Sequence, residues 1–157
     1  MTPSRVRAKV VLERTAWVRE MLDRVRRLPL ESFDEFNEDP RNHDSAESCL
    51  RRGLEALLDL GRHILAKRFG RGVVQYKEIA TALEECRVLG SDEAKLLTEL
   101  AGYRNRMVHF YNEITHEELF NICSEQLGDV ERVVDELLAW LRDHPEALDM
   151  SIDKPKT

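Results

Sequence analysis

Apolar residues recur at steps of three, four and seven along most of the chain, the spacing of one helical face, and no stretch alternates with the period of a strand. Over residues 5–28, Val6, Val10, Trp17, Met21, Val25 and Leu28 share such a face, and Pro29 ends the helix. Ser32 followed by Glu35 has the form of a capping box for a short helix or single turn over 32–38. Pro40 marks the next break, because it cannot continue a helix and disfavours helical geometry at Asp39. A long helix is predicted from about Asp44 to Phe69, capped by Asp44 or Ser45, with Leu50, Leu54, Leu57, Leu58, Ile64 and Leu65 inward and with Gly70 and Gly72 ending it.

Residues 75–86 form a shorter amphipathic helix that ends before Gly90. Ser91 caps the next, whose inward stripe is Leu96, Leu97, Leu100, Tyr103, Met107 and Val108. Thr115 opens a last helix running to about His144, with Phe120, Leu127, Val130, Val134, Leu137 and Leu141 at helical spacing. These elements predict an all-α, up-and-down helical bundle of four to six helices in one domain, residues 1–147, followed by a flexible polar tail over 148–157. The first helix also carries Val11, Leu12 and Leu22 outside its stripe, an apolar surplus that suits an oligomer interface.

Composition narrows the function. The 157 residues contain 24 Lys and Arg against 30 Asp and Glu, a net charge of −6 that disfavours a globally basic nucleic-acid binder. Residues 1–28 nevertheless hold eight basic against three acidic side chains, whereas residues 117–157 hold four against eleven, an acidic region suited to a basic partner. The three cysteines, Cys49, Cys86 and Cys123, are far apart and form no CxxC pair, so neither a disulfide framework nor a zinc site is expected. No window approaches the ~20 apolar residues of a membrane span, and the charged N-terminal stretch is no signal peptide. A cytoplasmic protein with reduced, buried thiols is the expectation, with no metal and no cofactor.

One stretch, Tyr103-Arg104-Asn105-Arg106-Met107-Val108-His109-Phe110-Tyr111, concentrates chemistry at the end of an amphipathic helix. Arginine presents a planar, permanently charged fork suited to phosphate, and histidine transfers protons both ways near neutral pH. Together they suffice to cleave RNA without a metal, a base removing the 2′-OH proton and a guanidinium neutralising the non-bridging oxygens. On an unbroken helix, Arg104 and His109 lie about 140° apart and do not share a face. Either the helix distorts before His109 or each site joins groups from two subunits. Asp59 and His63, four apart, read as a satisfied structural pair; Asp44 and Glu47 read as helix-start residues; His43, His116 and His144 read as exposed helix-end or loop residues.

Arg104-Asn105-x3-His109-x-Tyr111 matches the Arg-x4-His-x-Tyr motif of the HEPN superfamily, and the chain resembles the HepT toxins of minimal nucleotidyltransferase toxin–antitoxin pairs from about residue 5 to residue 144. The resemblance implies a homodimeric, metal-independent endoribonuclease, the toxin of a type VII-like pair, with an RNA substrate and a nucleotidyltransferase antitoxin as partner. Carried onto this chain, Arg104 is the phosphate ligand, His109 the general base or acid, Asn105 a positioning residue, and Tyr111 the hydroxyl to which the antitoxin adds AMP. Arg106, which the motif does not require, is an auxiliary candidate for RNA contact. The Gly-Ser and paired-aspartate signature of the transferase is missing, so the chain is the target of that modification and not its author. The alternative is a non-catalytic HEPN-like dimer that binds nucleotide or a nucleotidyltransferase.

Overall fold

The computed structural model describes residues 4–109 and 114–151, His109 through its backbone only. Seven α-helices order the described residues: α1 (Ala8–Arg26), α2 (Phe33–Glu38), α3 (Pro40–Phe69), α4 (Tyr76–Glu85), α5 (Ser91–His109), α6 (His116–Glu125) and α7 (Leu127–Asp143). The thirty-residue α3 is the spine and packs against all six other helices. Leu50, Leu54, Leu57, Leu58, Leu60, Ile64 and Leu65 are fully buried along it, each contributing roughly 1.5–3 kcal/mol by leaving water. Two glycines let neighbours close on this spine. A Cβ on Gly53 would meet the Met21 Cβ of α1 at 3.2 Å, and one on Gly61 would meet Ile79 and Leu83 of α4 at 3.0 Å.

The boundaries follow the caps. Ser32 Oγ accepts from the Glu35 amide at 3.2 Å, as the capping box predicts, and Thr115 Oγ1 accepts from the Glu118 amide at 3.0 Å. Pro40 starts α3 instead of ending a segment, because the first helical position needs no amide hydrogen; Asp39, whose Oδ1 accepts from the Arg41 amide at 3.0 Å, is the cap in place of Asp44 or Ser45. Gly70 closes α3 in the left-handed conformation, φ 62°, with its amide donating to the Leu65 carbonyl.

Three further expectations are corrected. The buried face of α1 is Val11, Thr15, Val18, Met21, Leu22 and Val25, leaving Trp17 37% exposed and Leu12 70% exposed. Thr15 hid that stripe, since its hydroxyl reads as polar although its side chain packs in the core. The single helix expected from Thr115 is broken at Gln126, so α6 packs on α2 and α3 while α7 turns toward α1 and α5. Leu148 and Asp149, assigned to the tail, pair as a short parallel strand β2 (Leu148–Asp149) with β1 (Val6–Arg7), after a 3-10 turn at Pro145–Ala147.

Candidate active site

Helix α5 brings Arg104, Asn105 and Arg106 to one end of the bundle and stays helical through His109. The distortion that would have put Arg104 and His109 on one face is therefore not made by the backbone, and the two positions remain about 140° apart around the axis. The His109 side chain and Tyr111 lie outside the described residues.

Arg104 faces α3 and α4. Its side chain is only 18% exposed, and its Cζ sits 4.6 Å from the centroid of the Tyr76 ring. Nε donates to Glu55 Oε1 at 3.4 Å and Nη1 to Asn105 Oδ1 at 3.2 Å, whereas Nη2 has no partner among the described residues. The cation thus rests on an aromatic face with a carboxylate at its elbow and part of its fork unspent. Asn105 thus touches Arg104 through its side-chain oxygen.

Tyr76 is fixed from below. Its hydroxyl donates to Asp59 Oδ1 at 2.9 Å, and Arg62 Nη2 donates to the same oxygen. The Arg62 Cζ also lies 4.9 Å from the Tyr76 centroid. Burial, and then the hydrogen bond to the Asp59 carboxylate, push the Tyr76 phenol above its ordinary pKa, so it remains a neutral donor. Arg62, Val74, Gln75, Tyr76, Lys77, Arg104 and Asn105 line one open cleft. Sequence reasoning missed Tyr76, Glu55, Arg62 and Lys77 as site residues, since none carries a local signal; only the crossing of α3, α4 and α5 assembles them.

The other candidates are committed elsewhere. Arg106 grips Glu118 of α6 with both terminal nitrogens, at 2.7 and 2.8 Å, and the contact holds the Glu118 carboxyl below its ordinary pKa. Asp59 and His63 do not pair with each other: Asp59 serves Arg62 and Tyr76, and His63 Nε2 accepts the Arg7 backbone N–H at 3.1 Å, tying β1 to α3. Burial, followed by the nearby Lys67, Arg7 and Arg14, lowers the His63 pKa and favours this neutral acceptor. His43 is half-buried within the first turns of α3 and meets the His116 ring at a tilt, centroids 3.8 Å apart, and His144 stacks on Trp140 at 4.2 Å. Asp44 and Glu47 lie inside α3, the latter 3.4 Å from Arg51. Cys49 and Cys123 are buried as expected, the Cys123 thiol pushed up to about 12 by burial, and Cys86 is half-buried. No helix among the described residues is long and apolar enough to cross a membrane.

Residues 18–137, with Arg104, Asn105 and His109 on α5 inside them, match the family model described as Ribonuclease HepT-like. The chain belongs to the HepT-like family. The tRNA nuclease HepT of Aphanizomenon flos-aquae (strain 2012/KM1/D3) is 25% identical to it over 134 residues, which span 84% of this chain and 90% of that protein. The HepT-like fold is also that of the tri-AMPylated Shewanella oneidensis HEPN toxin in complex with MNT antitoxin, with a TM-score of 0.75 and 22% identity over 83% of this chain and 97% of that one. YutE of Bacillus subtilis, a cytosolic protein of unknown function, shares it at a TM-score of 0.70 and 16% identity, over 85% and 90% of the two chains. The all-α HEPN fold expected from the sequence is the one observed.

Proposed function

We propose that this HepT-like chain is the toxin of a toxin–antitoxin pair, an endoribonuclease that acts without a metal as a homodimer. The observation that carries the reading is the seating of Arg104: a guanidinium held by Tyr76, Glu55 and Asn105 at the edge of an open cleft, its Nη2 without a partner among the described residues, five positions before a histidine on the same helix. Arg104 neutralises the scissile phosphate as charge develops on its non-bridging oxygens, and Asn105 holds it there. One His109 takes the 2′-OH proton; the 2′ oxygen attacks phosphorus, the bond to the 5′ oxygen breaks, and a protonated imidazole supplies the proton that this oxygen takes up. The products are a 2′,3′-cyclic phosphate and a 5′-OH.

The unbroken α5 supports a site in which the imidazole and the guanidinium that meet one phosphate come from two copies of the chain. The relatives support the choice of reaction: the curated one is a tRNA nuclease, and the Shewanella protein is a toxin held by an MNT antitoxin and carrying three AMP groups. By the same reading a nucleotidyltransferase antitoxin transfers AMP from ATP to the Tyr111 hydroxyl, with pyrophosphate leaving, and the resulting phosphodiester anion competes for Arg104 and blocks the substrate.

Purified protein incubated with RNA in EDTA is expected to yield cyclic-phosphate ends, and His109→Ala protein is expected to yield none. Activity lost to the chelator and restored by a divalent cation would overturn the metal-free mechanism. Light scattering at micromolar concentration is expected to report a dimer, and a monomer with full activity would overturn the shared site. After co-expression with the antitoxin, mass spectrometry is expected to find AMP on the peptide containing Tyr111, and Tyr111→Phe is expected to remain unmodified and toxic.

A further inference from the structure

The cleft beside Arg104 holds more cationic character than one phosphate needs. In an acidic chain, Arg62, Lys77 and Arg104 converge on a single cleft with the amides of Gln75 and Asn105, and Val74, 81% exposed, stands on its rim. Arg62 and Arg104 both lie within 5 Å of the Tyr76 centroid, so one ring touches both guanidiniums, and Arg62 is further tied through Nη1 to the Val74 carbonyl at 3.3 Å and through Nη2 to the Tyr76 hydroxyl at 3.3 Å. Two carboxylates stand behind them, and both are already engaged: Asp59 accepts from Arg62 and the Tyr76 hydroxyl, and Glu55 accepts from Arg51 and Arg104. Lys77 makes no ion pair among the described residues, is exposed, and lines both this cleft and a second one that Arg71, Glu78 and Thr81 also line along the start of α4.

The geometry points to a second phosphate subsite, in which Lys77 takes the RNA phosphate next to the one held by Arg104, and the strand leaves past the start of α4. Tyr76 is the spacer that keeps the two subsites in register. A strand held at two successive phosphates is positioned before the chemistry begins, so the subsite contributes to binding and leaves the rate of the bound complex nearly unchanged. The inference rests on the ribonuclease reading only for which phosphate Arg104 serves.

The test measures binding of a 2′-O-methyl RNA oligonucleotide, which lacks the attacking hydroxyl, by fluorescence anisotropy across a salt series, with cleavage of the matching unmodified RNA measured in parallel. Each lost phosphate contact on a single strand lowers the slope of log affinity against log salt by about 0.7, equivalent to about fivefold weaker binding at 0.1 M salt. Lys77→Ala is expected to show that loss, with KM raised and kcat within about twofold of the parent, and Lys77→Arg is expected to restore it. An unchanged slope in Lys77→Ala, with cleavage intact, overturns the subsite and leaves the ribonuclease reading standing. A wild-type protein that binds the oligonucleotide with the Lys77-dependent slope but cuts no RNA overturns the ribonuclease reading and leaves the subsite standing.

Discussion

Arg104 and Arg106 sit two residues apart on α5, about 200° apart around its axis, and they have opposite fates. Arg106 turns to α6, where Glu118 meets it with both oxygens at 2.7 and 2.8 Å, a two-pronged ion pair whose donors are spent on holding two helices together. Arg104 turns to α3 and α4, where it meets the Tyr76 face, a carboxylate oxygen at the longer distance of 3.4 Å, and a neighbouring amide. The lesson is that an arginine's availability is set by what the opposite helix presents. A fork facing a well-placed carboxylate is structural, and a fork facing an aromatic ring is held in place while its donors stay available.

The sharpest way to break this comparison is to remove each guanidinium in turn. Arg104→Ala is expected to lower RNA cleavage by at least ~10²-fold, the usual cost of losing a group that neutralises transition-state charge. Arg106→Ala is expected to stay within a few-fold of the parent. Initial rates on one RNA, measured at enzyme concentrations where both variants are dimeric, check the pair. Comparable losses in the two variants would show that both sides of α5 serve the reaction.

The second prediction moves the wall behind Arg104 without touching it. Gly61 allows α4 to lie close on α3, and a valine there would collide with Ile79 and Leu83, which belong to a packed core. Overpacking of this kind costs about 1–3 kcal/mol. Gly61→Val is expected to lower stability by that amount, read from urea midpoints, and to lower cleavage beyond the fraction unfolded, because α4 carries Tyr76 away from Arg104. Retained specific activity in the folded fraction would detach α4 from the site.

How much of this was legible in the sequence depends on the range of the interaction. Ser32 and Glu35 are three residues apart, and their capping box was readable; the leucines of α3 and the valines of α7 announced their faces by spacing alone. Pro40 misled because the same residue that stops a helix also starts one, and the helical pattern before and after Gln126 gave no sign that the axis changes there. Arg104, Asn105 and His109 stood out because they are adjacent in sequence and chemically dense. Tyr76 and Glu55 lie far from Arg104 along the chain, and nothing local distinguishes a tyrosine that opens a short helix from one that merely packs. Long-range pairing is what the sequence conceals, and the support of the site consists mostly of such pairs.

Tyr76 supplies the third prediction. Cation–π contacts contribute about 0.5–2 kcal/mol depending on how dry the pair is, about two- to thirtyfold in rate if the contact is what positions Arg104. Tyr76→Leu is expected to lose cleavage by roughly that factor, while Tyr76→Phe, which keeps the ring and gives up only the hydrogen bond to Asp59, is expected to recover most of it. Equal losses in the two variants would mean that the hydroxyl, and not the ring face, supports the arginine.

The smallest effect belongs to the Arg106 side, and its pH dependence identifies it. Both side chains of the Arg106–Glu118 pair are about one-third exposed, 32% and 36%, so solvent screening limits its contribution to about 0.5–1 kcal/mol. The hydrogen bond from Arg106 depresses the Glu118 pKa below its ordinary 4.5, so the folded state binds the proton less readily than the unfolded one. The pair's contribution is therefore fully present above the unfolded-state value and is lost as pH falls through the depressed folded value. Asp39, Glu93 and Asp149 are depressed as well, and their loss in acid affects parent and variant alike. The difference between parent and Arg106→Ala cancels those shared terms. Urea midpoints are expected to separate the two proteins by about 0.5–1 kcal/mol at pH 7 and to bring them together as pH falls below the ordinary carboxylate range. A gap between parent and Arg106→Ala that persists unchanged in acid would assign the Arg106 contribution to packing of its aliphatic stem, and the contrast between the two arginines would then rest on shape instead of charge.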